Sequence, residues 1–298
     1  MSVTEVRRRL GRFGVWIAPA TLLATPVAVQ REQFARIEAL GYGSFWTGET
    51  PAGHPISSRE ILTQLGVLLA ATERLVAGAG IANVTQRSPG AAHGGAAALA
   101  EAYPGRLVLG LGGQGGPRPL AALRDYLAAM DRAAATILPE VGYPRVLAAL
   151  GPKALGLARE SADGAHPFLQ PVEHTRIARE ALGSGPLLVP HQALVLDEDP
   201  GSARETLRAI MRSVGTAGSP YIASYRRLGY GDADLAGERS DRLVDAVLAW
   251  GDEDAVARRL RDHLDAGADH VLLHPLAGDL TGAVDQLERL APRLRAAA

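Results

Sequence analysis

Cysteine is absent from this chain of 298 residues, and lysine occurs once, at Lys153. Without a thiol there is no disulfide, no thiolate nucleophile and no cysteine-ligated metal, and a cysteine-free composition suits a reducing cytoplasm. Excess charge of either sign is also missing. The 31 basic and 32 acidic residues leave a formal net charge of −1, which argues against a general affinity for nucleic acid or acidic membranes. Any anionic ligand must then find a local basic site. No apolar run reaches the ~18 residues of a membrane span. The opening MSVTEVRRRL lacks the apolar core that follows the basic region of a signal peptide. The expectation is a soluble, cytoplasmic protein. No G-x-S-x-G elbow and no Walker loop is present, so hydrolase and nucleotidase readings have no support.

Glycine is plentiful, and RLVLGLGGQGGPRP at residues 106–119 tests one meaning of it. Gly110, Gly112 and Gly115 match the G-x-G-x-x-G spacing of a dinucleotide fingerprint. In a true fingerprint the third glycine lies inside a helix facing the pyrophosphate. Here Gly116, Pro117, Arg118 and Pro119 follow at once, and proline pushes the residue before it out of the helical region. The motif lacks its context, and the stretch reads as a strand with a glycine-lined end.

Short apolar runs alternate with segments of helical period along the whole chain. Residues 13–18, 44–49, 75–84, 106–112, 145–150, 165–169, 193–198 and 270–275 read as strands. Between them, 26–40, 58–71, 121–135 and 153–162 read as helices, and Ser88 followed by Pro89 opens another that runs to about Tyr103. Strands apolar on both faces and separated by helices predict a parallel sheet covered on both sides. Eight of them in 298 residues fit an α/β fold of the (β/α)8 TIM-barrel type, with a doubly wound open sheet as the alternative. Residues 201–267 read as a helical insertion before the last strand, within a single domain spanning 1–298.

GYGSFWTGE, LVAGAGIANVTQRSP, YPGRLVLGLG and RVLAALGPKALGLARESADGAHP, with SDRLVDAVLAWGDEDAVARRLRDHLDAGADHVLL near the C-terminus, together resemble the luciferase-like monooxygenase superfamily, in particular its branch using the deazaflavin coenzyme F420. The resemblance covers nearly the whole chain. It implies a barrel that holds a flavin or deazaflavin at the C-terminal ends of its strands, often as a homodimer. The implied activity is hydride transfer between F420 and a small organic substrate. The alternatives are FMN-dependent monooxygenation, a non-catalytic flavin-binding barrel, or an unrelated sugar or phosphate barrel enzyme.

Trp46 and Glu49 close the second strand, where a barrel presents its chemistry. The family often has an acid at the Glu49 position followed by histidine; here Thr50 follows, and His54 in the same loop is the candidate substitute. The catalytic expectation is therefore Glu49 with His54, against a plain reading as a solvated carboxylate and a surface histidine. Gly80 and Ile81 fall where the family carries a non-prolyl cis peptide behind the cofactor ring, with Asn83 and Thr85 as nearby polar contacts. Arg87 is a further candidate, to meet an acidic cofactor tail. Gly112 and Gly113 would leave room for the cofactor at the mouth. The loop that follows, with Gln114, is short and holds no clear acid or base.

Ala149, Leu150, Gly151, Pro152 and Lys153 lead from a strand end straight into a helix N-terminus. Unpaired N–H groups and the helix dipole favour an anion there, and Lys153 adds a compact charge suited to phosphate. His270 and His274 share the i, i+4 spacing of metal-binding helices, but in a strand. Buried strand histidines usually satisfy hydrogen bonds, so no metal is expected.

Overall fold

The structure is a computed structural model that describes residues 3–50, 57–113, 116–136, 141–214 and 218–295. Helix α1 (Val3–Leu10) precedes β1 (Phe13–Ile17), α2 (Pro19–Ala24), α3 (Val27–Ala39), β2 (Ser44–Thr47), α4 (Ile61–Ala71), β3 (Val76–Ala79) and β4 (Ala82–Asn83). Then come α5 (Pro89–Ala102), β5 (Leu107–Gly112), α6 (Pro119–Ala134), β6 (Arg145–Leu147), α7 (Pro152–Ser161), β7 (Gly164–Ala165), α8 (Val172–Leu182) and β8 (Leu187–Leu188). The chain finishes with β9 (His191–Val195), α9 (Pro200–Val214), α10 (Pro220–Arg227), α11 (Asp232–Leu235), α12 (Asp241–Val247), β10 (Leu248–Trp250), α13 (Glu253–Asp265), β11 (Val271–Pro275) and α14 (Leu280–Arg295).

The strands form one curled parallel sheet in the order β10-β9-β11-β1-β2-β3-β5-β6-β7-β8, with β4 paired to β5. As a hydrogen-bonded path it is open, with β10 and β8 at its ends. The expected parallel α/β architecture is present, and the path among the described residues is not itself a closed ring of eight strands. The stretch read as a helical insertion holds α9 to α13 but also β10, which extends the sheet beside β9.

Side-chain alternation explains how the sheet is covered on both faces. Val15, Ile17, Phe45, Ala77, Leu109, Leu111, Leu147, Val271 and Leu273 pack outward in the core under the helices. Their neighbours Trp16, Trp46, Val76, Val108, Val146, Leu187 and Leu272 fill the concave side in a second cluster. Glycine makes room inside: a Cβ at Gly78 would lie 2.1 Å from the Trp46 ring. At the N-terminal end of the strands Ser44 Oγ lies 2.6 Å from His270 Nε2, whose Nδ1 donates to the Gly11 carbonyl at 2.9 Å. Among the described residues no helix is long and apolar enough to cross a membrane.

Candidate functional site

The glycines of residues 106–112 serve the backbone next to them. β3 stops at Ala79, the peptide between Gly80 and Ile81 is cis, where the resemblance implies one, and β4 follows. The Gly80 N–H donates to the Thr47 carbonyl at 2.7 Å, and the Gly80 carbonyl accepts from Trp16 Nε1 at 2.9 Å. A Cβ at Gly110 would sit 2.0 Å from the Ala79 carbonyl oxygen, and one at Gly112 would sit 2.6 Å from Ile81 Cδ1. Only glycine leaves space for the displaced segment at those two positions of β5.

Ile81, Gly112 and Gly113 form one end of a cavity of about 640 Å3 at the C-terminal ends of the strands. Its walls continue through Ala148, His166 and Phe168 to Pro220 and Tyr221 of α10. The far end is Leu150, Gly151, Pro152 and Lys153, joined by Arg227. Gly151 is the N-cap of α7 and provides no side-chain cap, so the first-turn N–H groups have no such partner. Arg227 donates to the Leu150 carbonyl at 3.2 Å and places its guanidinium beside Gly151. Two cations and a helix N-terminus thus converge at one end of an otherwise apolar groove.

His166 lies at the inner wall. Its Nδ1 donates to the Val189 carbonyl at 2.7 Å, which leaves a lone pair on Nε2, and that atom is buried with no partner among the described residues. Burial holds its pKa down to about 4, so the ring is neutral at physiological pH.

The other expected residues divide. Trp46 is fully buried within the concave cluster and donates to Ser44 Oγ at 2.8 Å, away from the groove. The Glu49 side chain is 5% exposed and ion-paired with Arg87, which also reaches Glu60 at 2.9 Å. The Glu49 oxygens further accept from the Asn83 N–H at 3.0 Å and the Ile61 N–H at 3.4 Å. This carboxylate ties the end of β2 to the starts of α4 and β4; it is not a solvated loop acid and does not line the groove. Asn83 Oδ1 accepts from the Thr85 N–H and hydroxyl at 3.0 and 2.7 Å, and its amide group abuts Gly113. Ala149 packs into the outer core. His54 and Gln114 lie outside the described residues. His270 and His274 share a face but bond at opposite ends of the strand, to Ser44 and to His191.

Sequence reasoning did not include Arg227, His166, Phe168 or Tyr221 in the site. The AHPFL stretch did carry a signal, since His166 and Phe168 alternate onto one face. Arg227 arrives from a helix 77 residues beyond its partner Leu150 and carries no local signature.

A family model described as luciferase-like monooxygenase matches residues 11–270. The chain belongs to the luciferase-like monooxygenase family. Solved structures similar to it include an F420-dependent secondary alcohol dehydrogenase in complex with an F420-acetone adduct, at 15% identity and a TM-score of 0.68 over 96% of this chain and 99% of that one. A coenzyme F420-dependent tetrahydromethanopterin reductase from Methanopyrus kandleri matches at 17% identity and a TM-score of 0.72, covering 95% and 99%. The EDTA monooxygenase of Chelativorans sp. BNC1 matches at 13% identity and a TM-score of 0.71, covering 97% and 94%. Identities this low speak to a shared luciferase-like fold, and both F420-dependent enzymes and monooxygenases share it.

Proposed function

We propose that this luciferase-like protein is an oxidoreductase that holds a flavin or deazaflavin in the groove between Ile81 and Lys153, with the cofactor's phosphate at the α7 N-terminus. The observation that carries this reading is the groove itself. Its apolar walls at Ile81, Gly112 and Ala148 suit a flat ring system, and its far end offers Lys153, Arg227 and the first-turn N–H groups of α7 to an anion. When bound, such a cofactor supplies the redox chemistry. The residues of this chain hold the ring between the Gly80–Ile81 segment and α10, exclude water with Phe168 and Tyr221, and neutralise the phosphate.

FMN-dependent monooxygenation is the favoured chemistry. The family match favours it, and the engagement of Glu49 with Arg87 leaves no free carboxylate at that strand end among the described residues to assist hydride transfer. Hydride transfer with F420 is the second reading, favoured by the fold shared with the alcohol dehydrogenase and the reductase. In either case the substrate is a small organic molecule.

In this proposal the curled sheet is a (β/α)8 barrel of one domain, closed through residues 187–195. Hydrogen bonds on both sides of that segment support it: Val189 N–H to the Ala165 carbonyl, and Leu272 N–H to the Pro190 carbonyl, each at 2.9 Å. A homodimer joined by the apolar surface of α4 and α5, where Leu62, Gly66, Gly95 and Ala98 line a shallow groove, belongs to this proposal and predicts sedimentation at twice the chain mass.

Fluorescence titration with FMN and, separately, F420 tests the assignment. Micromolar or tighter binding of one of them is expected, weakened about tenfold by Lys153→Ala and again by Arg227→Ala, as loss of one charge-assisted phosphate contact implies. Oxygen uptake with reduced FMN selects monooxygenation. Binding of neither cofactor would defeat the proposal.

A further inference from the structure

Phe168 also borders a second cavity of about 640 Å3, on the side of the sheet end formed by β1 and β11. Its inner wall is Trp16, Ile17, His274 and Pro275, and Ile210 of α9 closes it from outside. The two cavities differ in charge. The first ends in Lys153 and Arg227, whereas among the described residues the second has no cationic wall residue and a single carboxylate, Asp279, exposed at the rim. An ion moved into apolar walls without a counter-ion loses several kcal/mol of hydration, so this space selects an uncharged occupant.

Its buried polar groups are few. Trp16 Nε1 is already bonded to the Gly80 carbonyl. His274 is different, and its proton can be placed. The Leu169 N–H donates to His191 Nδ1 at 3.4 Å, so that nitrogen carries the lone pair and His191 Nε2 carries the hydrogen. His191 Nε2 lies 2.9 Å from His274 Nδ1 and donates to it. The proton of a neutral His274 is therefore on Nε2, which has no protein partner among the described residues and belongs to a side chain on the cavity wall. Burial lowers the His274 pKa to about 3, which keeps the ring neutral. The Phe168 ring lies against His191 with centroids 3.9 Å apart, and Trp16 packs edge-on to His274 at 4.5 Å, so both imidazoles are held in place.

We propose that this cavity binds an uncharged, mainly apolar organic molecule bearing a carbonyl oxygen, and that His274 Nε2–H donates to that oxygen while His191 fixes the tautomer. As the substrate class it rests on the oxidoreductase reading, but the binding itself needs no cofactor. His274 is thereby a specificity-determining residue: a ketone finds a donor, and an isosteric hydrocarbon leaves that N–H unpaired.

The test uses cyclohexanone and methylenecyclohexane, which differ by exchange of the carbonyl oxygen for CH2, on the full chain labelled with 15N-histidine. Long-range 1H–15N spectra of the free protein are expected to show His274 protonated on Nε2. Cyclohexanone is expected to move that resonance and to bind about fivefold more tightly than the alkene. In His274→Phe the preference should vanish while the alkene still binds. A free His274 protonated on Nδ1, equal affinity for both probes in the wild type, or binding of neither would overturn the proposal. Ketone binding in a protein that takes up neither FMN nor F420 would instead leave this site standing and remove the cofactor assignment.

Discussion

The oxygens of Glu49, just beyond β2, are engaged with Arg87 and two backbone N–H groups. Glu49→Gln keeps the shape and removes the charge that pairs with a largely buried guanidinium. Because Arg87 retains Glu60, the expected loss is about 1–3 kcal/mol of unfolding free energy rather than a failure to fold. Flavin affinity should be unchanged. Chemical denaturation beside a cofactor titration checks both, and a variant of full stability with impaired turnover would assign Glu49 a catalytic part. The position of Glu49 at the end of β2 was legible in the sequence, but its ion pair was not, since it depends on an arginine 38 residues away. The proposed anion site shows the same division. Lys153 and the helix start could be read locally, whereas Arg227 joins them only through the folding of α10 onto Leu150.

Elements were legible where period and punctuation agreed. Ser88 caps α5 by accepting from the Ala91 N–H, with Pro89 at its first position, and the β5 glycines sit in a strand. The sequence places a seventh strand at 193–198, but β8 and β9 cover 187–188 and 191–195. Pro190 lies between them, and proline normally argues against a strand. β10 escaped because Leu248 follows α12 with no turn residue to mark the change. Arg106, read only as the head of a strand, is buried and closes the C-terminal end of α4: its guanidinium donates to the carbonyls of Leu75 and Thr72, both at 2.9 Å, and to the Thr72 hydroxyl at 2.6 Å. Arg106→Leu leaves those acceptors buried and unpaired and should cost about 2–4 kcal/mol, with the largest loss of amide protection in the last turn of α4. Hydrogen exchange resolved by residue checks it. Arg106→Lys should recover little, because a point charge cannot reach three divergent acceptors.

Across the whole molecule the histidines set the response to acid. Burial lowers the pKa of His166 and His270 to about 4 and of His263 and His274 to about 3. In the unfolded chain each returns to about 6.5. Above that value both states are neutral and pH has no effect through these groups. Below it the unfolded state binds the extra protons, so stability falls as pH falls, by about 1.4 kcal/mol per unit for each histidine, until the folded values are reached. Urea unfolding should therefore show a midpoint that drops steeply between pH 6.5 and 4. His263→Gln should be less stable at pH 7.5 but shallower in its dependence; an unchanged slope would count against the buried neutral form.

The solitary lysine gives the groove a chemical handle. Lys153 is exposed at the cationic end of the groove and carries the chain's one side-chain amine, so an amine-reactive dye has a single side-chain address on the entire surface. Protection of that address by inorganic phosphate or FMN would report occupancy of the groove in a sample that needs no substitution, no substrate and no turnover.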